Sequence, residues 1–193
     1  SYYSMCLFSN ILDNSSYNNN TTKIETIFYM DIDSSNIVDY TTNQFSDIYG
    51  LQFSPDDEKI YFIGEHRTSS DHSVGLYSTS KNDTSRILLT TNIGAWSTFS
   101  ISPDGQQIVY SHNSDIYLIN TDGSNETNIT ISSFNEKNPR FSSDGKLIGF
   151  LSNRDYGDAI YFINNSETTI NISSWYKLED TGNVLDFKFI STP

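Results

Sequence analysis

Phe99-Ser-Ile-Ser-Pro-Asp-Gly105 decides the fold of this chain, because it joins the end of one strand to a tight turn. In such a turn proline sets φ at the second position, aspartate tolerates the third, and glycine supplies the positive φ from which a second strand starts. A second strand does follow, Gln107-Ile-Val-Tyr110. The unit recurs as Leu51-Gln-Phe-Ser-Pro-Asp-Asp57 and as Pro139-Arg-Phe-Ser-Ser-Asp-Gly145. Each copy predicts a β-hairpin.

A second repeated unit follows each hairpin. It is an apolar and aromatic strand that runs into a turn of Asp, Asn, Gly and Ser. Ile116-Tyr-Leu-Ile-Asn-Thr-Asp-Gly-Ser-Asn125 aligns without a gap to Ile27-Phe-Tyr-Met-Asp-Ile-Asp-Ser-Ser-Asn36, and further copies occur at Gly75–Asp83 and Ala159–Ser166. Two hairpins in succession make a four-stranded meander, so the repeated pair of units predicts a series of small antiparallel sheets.

The spacing of the repeats is typical of a β-propeller. Pro55 and Pro103 are 48 residues apart, and 40 residues separate Pro103 from Ser143. A period of about 40 to 50 residues with four strands per repeat is the pattern of propeller blades. No segment has a convincing helical period, so the predicted fold class is all-β. The motifs quoted above resemble the TolB-type, PD40 or WD40-like, propeller repeat over residues 45–175, a resemblance that implies four-stranded blades and is nearly silent on function.

The predicted architecture is a single β-propeller domain over residues 1–193 with about four blades. Phe189-Ile-Ser-Thr-Pro193 matches Phe99-Ser-Ile-Ser-Pro103, so the last strand can complete the first blade, with Phe187, Phe189 and Ile190 as the pairing seam. The predicted blades are 184–193 plus 1–44, 45–93, 94–134 and 135–183. Two alternatives stay open: a neighbouring molecule fills the same gap with its strand, or the sequence is a fragment of a longer propeller.

Composition excludes several classes of protein. The 193 residues include 11 Lys and Arg against 24 Asp and Glu, which gives a net charge of −13 that repels nucleic-acid phosphates. Aromatic residues make up 14%, too many for a disordered acidic chain. No apolar run reaches the roughly 20 residues that span a bilayer. A single cysteine, Cys6, excludes an internal disulfide and is expected to be a buried structural thiol.

Asparagine sequons are in mild excess over chance. An extracytoplasmic glycoprotein explains this excess, and biased composition explains it equally well. The asparagines in Asn-x-Ser/Thr are Asn14, Asn19, Asn20, Asn82, Asn125, Asn128, Asn164 and Asn171.

The histidines and the clustered aspartates are the candidate metal ligands of this sequence. His66 and His72 share the predicted loop Gly64–Ser73, but their spacing of six fits no established zinc pattern, so we expect solvated loop residues. His112 is expected in a turn beside Asn113. The Asp-rich turns lack the ligand spacing of an EF-hand and are better explained by hydrogen bonds to their own backbone. They are Asp31-Ile-Asp33, Asp56-Asp57-Glu58 and Asp155-Tyr-Gly-Asp158.

Signals for catalysis are missing from the sequence. There is no Gly-x-Ser-x-Gly elbow, no marked Cys–His pair and no phosphate-binding glycine loop. Prolyl-peptidase enzymes carry related repeats, but the resemblance places their triad on an α/β-hydrolase domain that this sequence lacks. Trp96 and Trp175 suit either a ligand-stacking surface or packing between blades, and packing is preferred. We therefore predict no catalytic, cofactor-binding or metal-binding residue.

The function predicted from these observations is a non-enzymatic, extracytoplasmic module for protein binding or assembly, in which rigid blades display loops. Its expected partners are another protein or further copies of itself, with covalent glycans and without a membrane span or nucleic acid. One alternative is a cell-surface structural subunit that polymerises by donating its terminal strand. The other is the propeller fragment of a hydrolase or lyase whose catalytic part is absent.

Overall fold

The computed structural model describes residues 4–11, 23–30, 37–39, 45–67, 72–80, 83, 85–155, 157–166, 176–177 and 187. Within these residues every regular element is a β-strand and every pairing between strands is antiparallel, so the all-β prediction is confirmed. The chain divides into two compact units, Ser1–Thr91 and Asn92–Pro193, which are described separately.

The first unit holds two sheets. In its described residues, the first sheet has the order β1-β2-β3 and the second the order β4-β5-β6-β7. Ile27 of the first sheet is fully buried and belongs to one apolar core with Phe45 and Ile48. The strands are β1 Ser4–Ile11, β2 Lys23–Met30, β3 Ile37–Asp39, β4 Asp47–Phe53, β5 Lys59–Arg67, β6 His72–Ser80 and β7 Arg86–Thr90.

The second unit holds two further sheets in its described residues, with the orders β8-β9-β10-β11 and β12-β13-β14-β15. Phe141 of β12 lies in one apolar core with Val109 and Ile116 of the third sheet, so the first strand of the fourth sheet packs on the sheet before it. The strands are β8 Phe99–Ile101, β9 Gln107–His112, β10 Asp115–Asn120, β11 Thr127–Asn128, β12 Glu136–Phe141, β13 Leu147–Ser152, β14 Ala159–Asn164 and β15 Tyr176–Lys177.

The second strand of each four-stranded sheet is the most deeply buried. Residues 60–63 of β5 and residues 148–152 of β13 are buried without a break, and Ile108, Val109 and Tyr110 of β9 are fully buried. A continuous apolar run, rather than an alternating one, is what a strand covered on both faces requires. The short runs Ile-Tyr-Phe-Ile and Leu-Ile-Gly-Phe-Leu therefore form strands inside each unit.

The first strands of the second and fourth sheets carry matching irregularities. The pairing register shifts between Tyr49 and Gln52 in β4, and between Lys137 and Arg140 in β12. Gly50 and Asn138 lie within these shifts with φ of 58° and 53°. A glycine or asparagine with positive φ is the usual residue of a β-bulge. The two repeats therefore share a bulge in the first strand, although the residue at that position differs between them.

Each observed sheet lies within one of the predicted blade ranges. The second, third and fourth sheets fall within 45–93, 94–134 and 135–183, and the three strands of the first sheet fall within 1–44. The predicted closing strand lies outside the described residues except for Phe187. The number of blades, their closure and the single domain over 1–193 therefore stay predictions.

The predicted loop Gly64–Ser73 was wrong. Strand β5 continues to Arg67, β6 begins at His72, and these two residues face each other in the register. The hairpin is longer than its counterparts because Glu65 and Val74, which pair across it, continue the ladder beyond the apolar run.

Candidate functional site

The hairpin turn of the third sheet is held by a network of side-chain hydrogen bonds. The Ser102 hydroxyl donates to Asp104 Oδ1 at 2.6 Å and accepts from the backbone N–H of Gln107 at 2.9 Å. The backbone N–H of Gln106 donates to the same Asp104 oxygen at 3.0 Å. The Gly105 N–H closes the turn on Ser102 O at 2.9 Å, with φ of 71° at Gly105. The predicted roles of aspartate and glycine in this turn are confirmed.

The same network occurs in the turns of the second and fourth sheets. Ser142 donates to Asp144 Oδ1 at 2.7 Å, and Ser54 donates to Asp56 Oδ1 at 2.5 Å. Asp57 stands in the glycine position and takes φ of 59°. The departure from glycine therefore leaves the turn geometry unchanged, because aspartate is among the residues that tolerate the left-handed region.

These hydrogen bonds stabilise the charged form of the turn aspartates. The serine hydroxyl is the largest influence, followed by the backbone N–H two residues after the aspartate, and together they lower the pKa of Asp56, Asp104 and Asp144. Hydrogen bonds to a carboxylate favour its charged form. Each of these carboxyls therefore stays ionised to a lower pH than an ordinary aspartate does.

A surface cavity of about 600 Å³ lies between the turns of the third and fourth sheets. This volume is within the range of small-ligand sites. Asn165 connects the two sheets at this cavity, because its side-chain Nδ2 donates to Gln107 Oε1 at 3.0 Å and to Gly145 O at 3.2 Å. The cavity is lined by Ser102, Pro103, Asp104, Asp144, Gly145, Lys146, Asn164, Asn165 and Ser166.

The lining favours a cationic group. Asp104 and Asp144 contribute two carboxylates, and Lys146 contributes one ammonium whose Nζ is 3.7 Å from Asp144 Oδ2. The lining contains neither histidine nor cysteine. It therefore offers hydrogen-bond acceptors and a net negative charge, but no pair of a nucleophile with its base.

The structure corrects the interpretation of His66 and His72. His72 Nε2 lies 2.6 Å from Oε1 of Glu65, a carboxylate that is almost fully buried, and Tyr49 OH donates to Glu65 Oε2 at 3.2 Å. His66 lies on β5 with its ring 4.4 Å from the ring of Phe45. Both histidines are strand residues rather than loop residues, whereas the expected solvent exposure holds for His72, whose side chain is 62% exposed. Among the described residues, no group of three or more His, Cys, Asp or Glu is placed to hold a metal ion.

The turn role predicted for His112 is confirmed. It ends β9 before Asn113 and Ser114, which have φ of 48° and 70° and form a two-residue hairpin loop of type I′. Burial lowers the pKa of His112, whereas the charge of Glu126 opposes that shift.

The Asp-rich turns are engaged in structural bonds where they are described. Asp155 accepts a hydrogen bond from Tyr161 OH at 2.6 Å, and Asp158 pairs with Lys137 Nζ at 2.7 Å. Asp31 and Asp33 lie outside the described residues. The expected bond to the local backbone is present at Asp56, which accepts from the Glu58 N–H at 3.1 Å, whereas Asp155 and Asp158 bond the side chains of Tyr161 and Lys137.

Trp96 contradicts its preferred interpretation. Its exposed fraction is 87%, so it is a surface residue rather than packing between blades. Trp175 lies outside the described residues. For Cys6 the structure gives the backbone, which lies in β1 as predicted.

Three of the predicted glycosylation asparagines can be located. Asn125 is exposed, Asn164 lines the cavity, and Asn128 donates from Nδ2 to Asp115 Oδ2 at 2.7 Å. Asn128 is half-buried and engaged with Asp115, whereas Asn125 is exposed, which makes Asn125 the better acceptor. The other sequons, Asn14, Asn19, Asn20, Asn82 and Asn171, lie outside the described residues.

Sequence reasoning missed a buried carboxylate, Glu136. Ser132 Oγ donates to its Oε2 at 2.8 Å, Ser152 Oγ donates to its Oε1 at 3.0 Å, and Arg154 Nη2 lies 3.9 Å from Oε1. Burial raises the pKa of Glu136, and the two serine hydrogen bonds oppose the shift. The signal in the sequence was a charged residue at the start of a strand, which is too common to mark a buried site.

Of the predicted seam, Phe187 is described, whereas Phe189 and Ile190 are not. Phe187 lies against the fourth sheet, and its pairing with the first sheet stays a prediction. In the described residues, no helix has the length and apolar character needed to cross a membrane.

Comparison with known proteins agrees with this fold. The family model for the dipeptidyl peptidase IV N-terminal region matches residues 54–141. No curated protein matches the sequence.

Many solved structures are similar to this chain, and three of them illustrate the range. TolB from Acinetobacter baumannii is 22% identical with a TM-score of 0.57, and the match covers 74% of this chain and 36% of TolB. Dipeptidyl peptidase 4 from Porphyromonas gingivalis is 11% identical with a TM-score of 0.56, over 81% of this chain and 31% of that one. Oligogalacturonate lyase from Vibrio parahaemolyticus is 12% identical with a TM-score of 0.55, and the match covers 76% of this chain and 43% of the lyase.

At these identities the similarity concerns the fold. The resemblance to TolB-like propellers is thereby confirmed at that level. This chain spans well under two thirds of each of these proteins. Activities, substrates and partners therefore do not transfer with the fold.

Proposed function

We propose that this protein is a non-enzymatic binding module that acts outside the cytoplasm and recognises a cationic segment of a partner protein. The observation that carries the proposal is the cavity between the turns of the third and fourth sheets, with Asp104 and Asp144 in its lining. A propeller scaffold supports such a role because it holds loops on a rigid framework of strands.

The cavity is suited to a lysine or arginine side chain. The carboxylates of Asp104 and Asp144 are each fixed by a serine hydroxyl and a backbone N–H, so they need little reorganisation on binding. A net charge of −13 attracts a positively charged partner over longer range and raises the association rate. Exposed ion pairs contribute only about 0–1 kcal/mol each, so we expect modest affinity that decreases with salt.

An extracytoplasmic location belongs to the same proposal. It is supported by the sequons and by the resemblance to TolB-like propellers. Recovery of the native protein in the soluble cytoplasmic fraction would contradict this location without affecting the binding proposal.

A second candidate is the propeller part of a larger peptidase. It is favoured by the family match to the dipeptidyl peptidase IV N-terminal region over residues 54–141. The full reading frame decides it, because an adjoining α/β-hydrolase domain would supply the catalytic residues that this chain lacks. A subunit that polymerises through its terminal strand is the remaining alternative, and light scattering of the purified chain tests it.

The binding proposal is tested with a labelled hexa-arginine peptide and isothermal titration calorimetry. We expect the wild-type chain to bind it, and the double variant Asp104→Asn with Asp144→Asn to bind at least 10-fold more weakly. Because the pKa of both carboxyls lies below its usual range, binding should persist at pH 5 and weaken only well below about pH 4, as the carboxylates become protonated.

The matched control is the double variant Asp83→Asn with Asp122→Asn. These aspartates make comparable turn bonds, to Ser85 and Ser124, but neither lines the cavity. The control removes the same net charge. Equal loss of binding in the two double variants would show attraction by overall charge alone and would overturn the proposal.

A further inference from the structure

The two aspartates of the cavity lining differ in the use of their second carboxylate oxygen. In both turns Oδ1 accepts from the serine hydroxyl and from the backbone N–H two residues later. Asp144 Oδ2 lies 3.7 Å from Nζ of Lys146. Asp104 Oδ2 makes no hydrogen bond or ion pair in the part of the chain that the structure describes. One carboxylate of the cavity is therefore paired with a cation of the chain itself, and the other is available to a ligand.

This difference comes from one position of the repeat. Gln106 stands in the third sheet where Lys146 stands in the fourth, 40 residues later. Their backbones are bonded alike: Gln106 O accepts from Thr121 N at 2.9 Å, and Lys146 O accepts from Asn165 N at 2.8 Å. The Gln106 side chain bonds within its own turn, where Nε2 donates to the backbone carbonyl oxygen of Asp104 at 3.4 Å. The side chains, and not the backbones, therefore make the two turns unequal.

The Lys146 ammonium is placed so that another cation can displace it. Its side chain is 81% exposed, and its distance of 3.7 Å from Asp144 Oδ2 exceeds that of a typical hydrogen bond, about 2.9 Å. Exposed ion pairs of this kind are weak and are screened by salt. Lys146 therefore competes with an incoming cation for Asp144 without excluding it.

We infer that Lys146 is an internal competitor that shields Asp144, so that the lysine or arginine of a partner is bound mainly through Asp104. The inference rests on the proposed function, because it concerns the same cavity and the same class of ligand. It adds that the two carboxylates contribute unequally to binding. It also makes Lys146 the residue that sets the affinity of the site for cations.

An exchange of the two side chains tests the inference at constant net charge. Each aspartate is replaced by asparagine in the wild-type chain and in the double variant Gln106→Lys with Lys146→Gln, and binding of the hexa-arginine peptide is measured by calorimetry. In the wild-type chain we expect Asp104→Asn to weaken binding at least 5-fold and Asp144→Asn less than 2-fold. In the exchanged chain the order should reverse, because the lysine then follows Asp104. Equal losses for the two aspartates in the wild-type chain, or an order that the exchange leaves unchanged, would overturn the inference.

Removal of the competitor should strengthen binding. We expect Lys146→Gln to tighten hexa-arginine binding at least 3-fold, because Asp144 Oδ2 then becomes available to the peptide. The matched control is Lys59→Gln, which removes the same charge from an exposed position outside the cavity lining and should change binding less than 1.5-fold, a limit on the order of the effect of a distant, screened charge. An equal gain in the two variants would show an effect of net charge alone and would contradict a competitor at Asp144.

NMR titration of the side-chain carboxyls tests the pairing without a ligand. An adjacent ammonium favours the charged form of a carboxyl, so Lys146→Gln should raise the pKa of Asp144 and leave that of Asp104 unchanged. An unchanged pKa of Asp144 in this variant would overturn the inference. Failure of the wild-type chain to bind hexa-arginine is a separate outcome. It would overturn the proposed function and, with it, the role of Lys146 as a competitor, even if the shift in the pKa of Asp144 were observed.

Discussion

The first and second hairpin turns of the four-stranded sheets differ in how closely they are repeated from sheet to sheet. The first turn, between the first and second strands, is the same in the second, third and fourth sheets, down to the serine, the aspartate and the residue with positive φ. The second turn, between the second and third strands, differs in every sheet. Its loop contains four residues between Arg67 and His72, two between His112 and Asp115, and six between Ser152 and Ala159.

The difference reflects the range over which each turn is stabilised. The bonds of the first turn join residues at most five positions apart, so a short motif specifies the whole structure. Near the second turns the stabilising groups come from distant parts of the chain. Glu65 contacts Tyr49 and His72, whereas Glu136 contacts Ser152 and Arg154. The hydrogen bonds within the first turn are therefore repeated from sheet to sheet, whereas the long-range contacts near the second turn differ between sheets.

Replacement of Glu136 should have the largest effect on stability. Glu136→Ala removes a carboxylate with no exposed surface and leaves the hydroxyls of Ser132 and Ser152 without their acceptor. Loss of one member of a buried charged network typically costs about 3 kcal/mol or more. We expect that decrease in the free energy of unfolding, measured by urea denaturation.

The matched control for Glu136 is Glu58→Ala, because Glu58 is an exposed glutamate in the first turn of the second sheet. Its replacement should change the free energy of unfolding by no more than about 0.5 kcal/mol. If Glu136→Ala were equally mild, the tertiary network would contribute little, and the contrast between the two kinds of turn would be lost.

Removal of the turn serines tests the uniformity of the first turns. Ser54→Ala, Ser102→Ala and Ser142→Ala each delete one donor to aspartate and one acceptor for a backbone N–H in a buried position. Each should cost about 1 kcal/mol. The informative quantity is the spread among the three, which should be smaller than the cost itself. Ser166→Ala, at an exposed position, serves as the control and should have little effect.

The same contrast explains which features could be predicted from the sequence. The Ser-x-Asp-Gly motifs and the turn at His112 depend on residues adjacent in sequence, and these predictions were confirmed. The long hairpin at Glu65 involves the distant residue Tyr49, and the exposure of Trp96 is set by the tertiary surroundings of its loop. No local pattern indicates either feature, and the expectations of a loop at Glu65 and of a packed Trp96 were wrong. The cavity was missed for the same reason: Asp104 and Asp144 each belong to an ordinary turn, and only the packing of the two sheets brings them to one lining.

Asp57→Gly should have the smallest effect and has the opposite sign. Asp57 is exposed and holds φ of 59°, where Gly105 and Gly145 hold 71°. Glycine would remove the strain of a left-handed aspartate, but it would also increase the conformational freedom of the unfolded chain, so we expect a net gain of at most about 0.5 kcal/mol. The reciprocal change Gly105→Ala should lose about 1 kcal/mol, because alanine carries the left-handed strain without the polar side chain that helps aspartate tolerate it. A loss of stability in Asp57→Gly would mean that this aspartate contributes a bond specific to the second sheet. The three first turns would then differ in their stabilising interactions although their backbone geometry is the same.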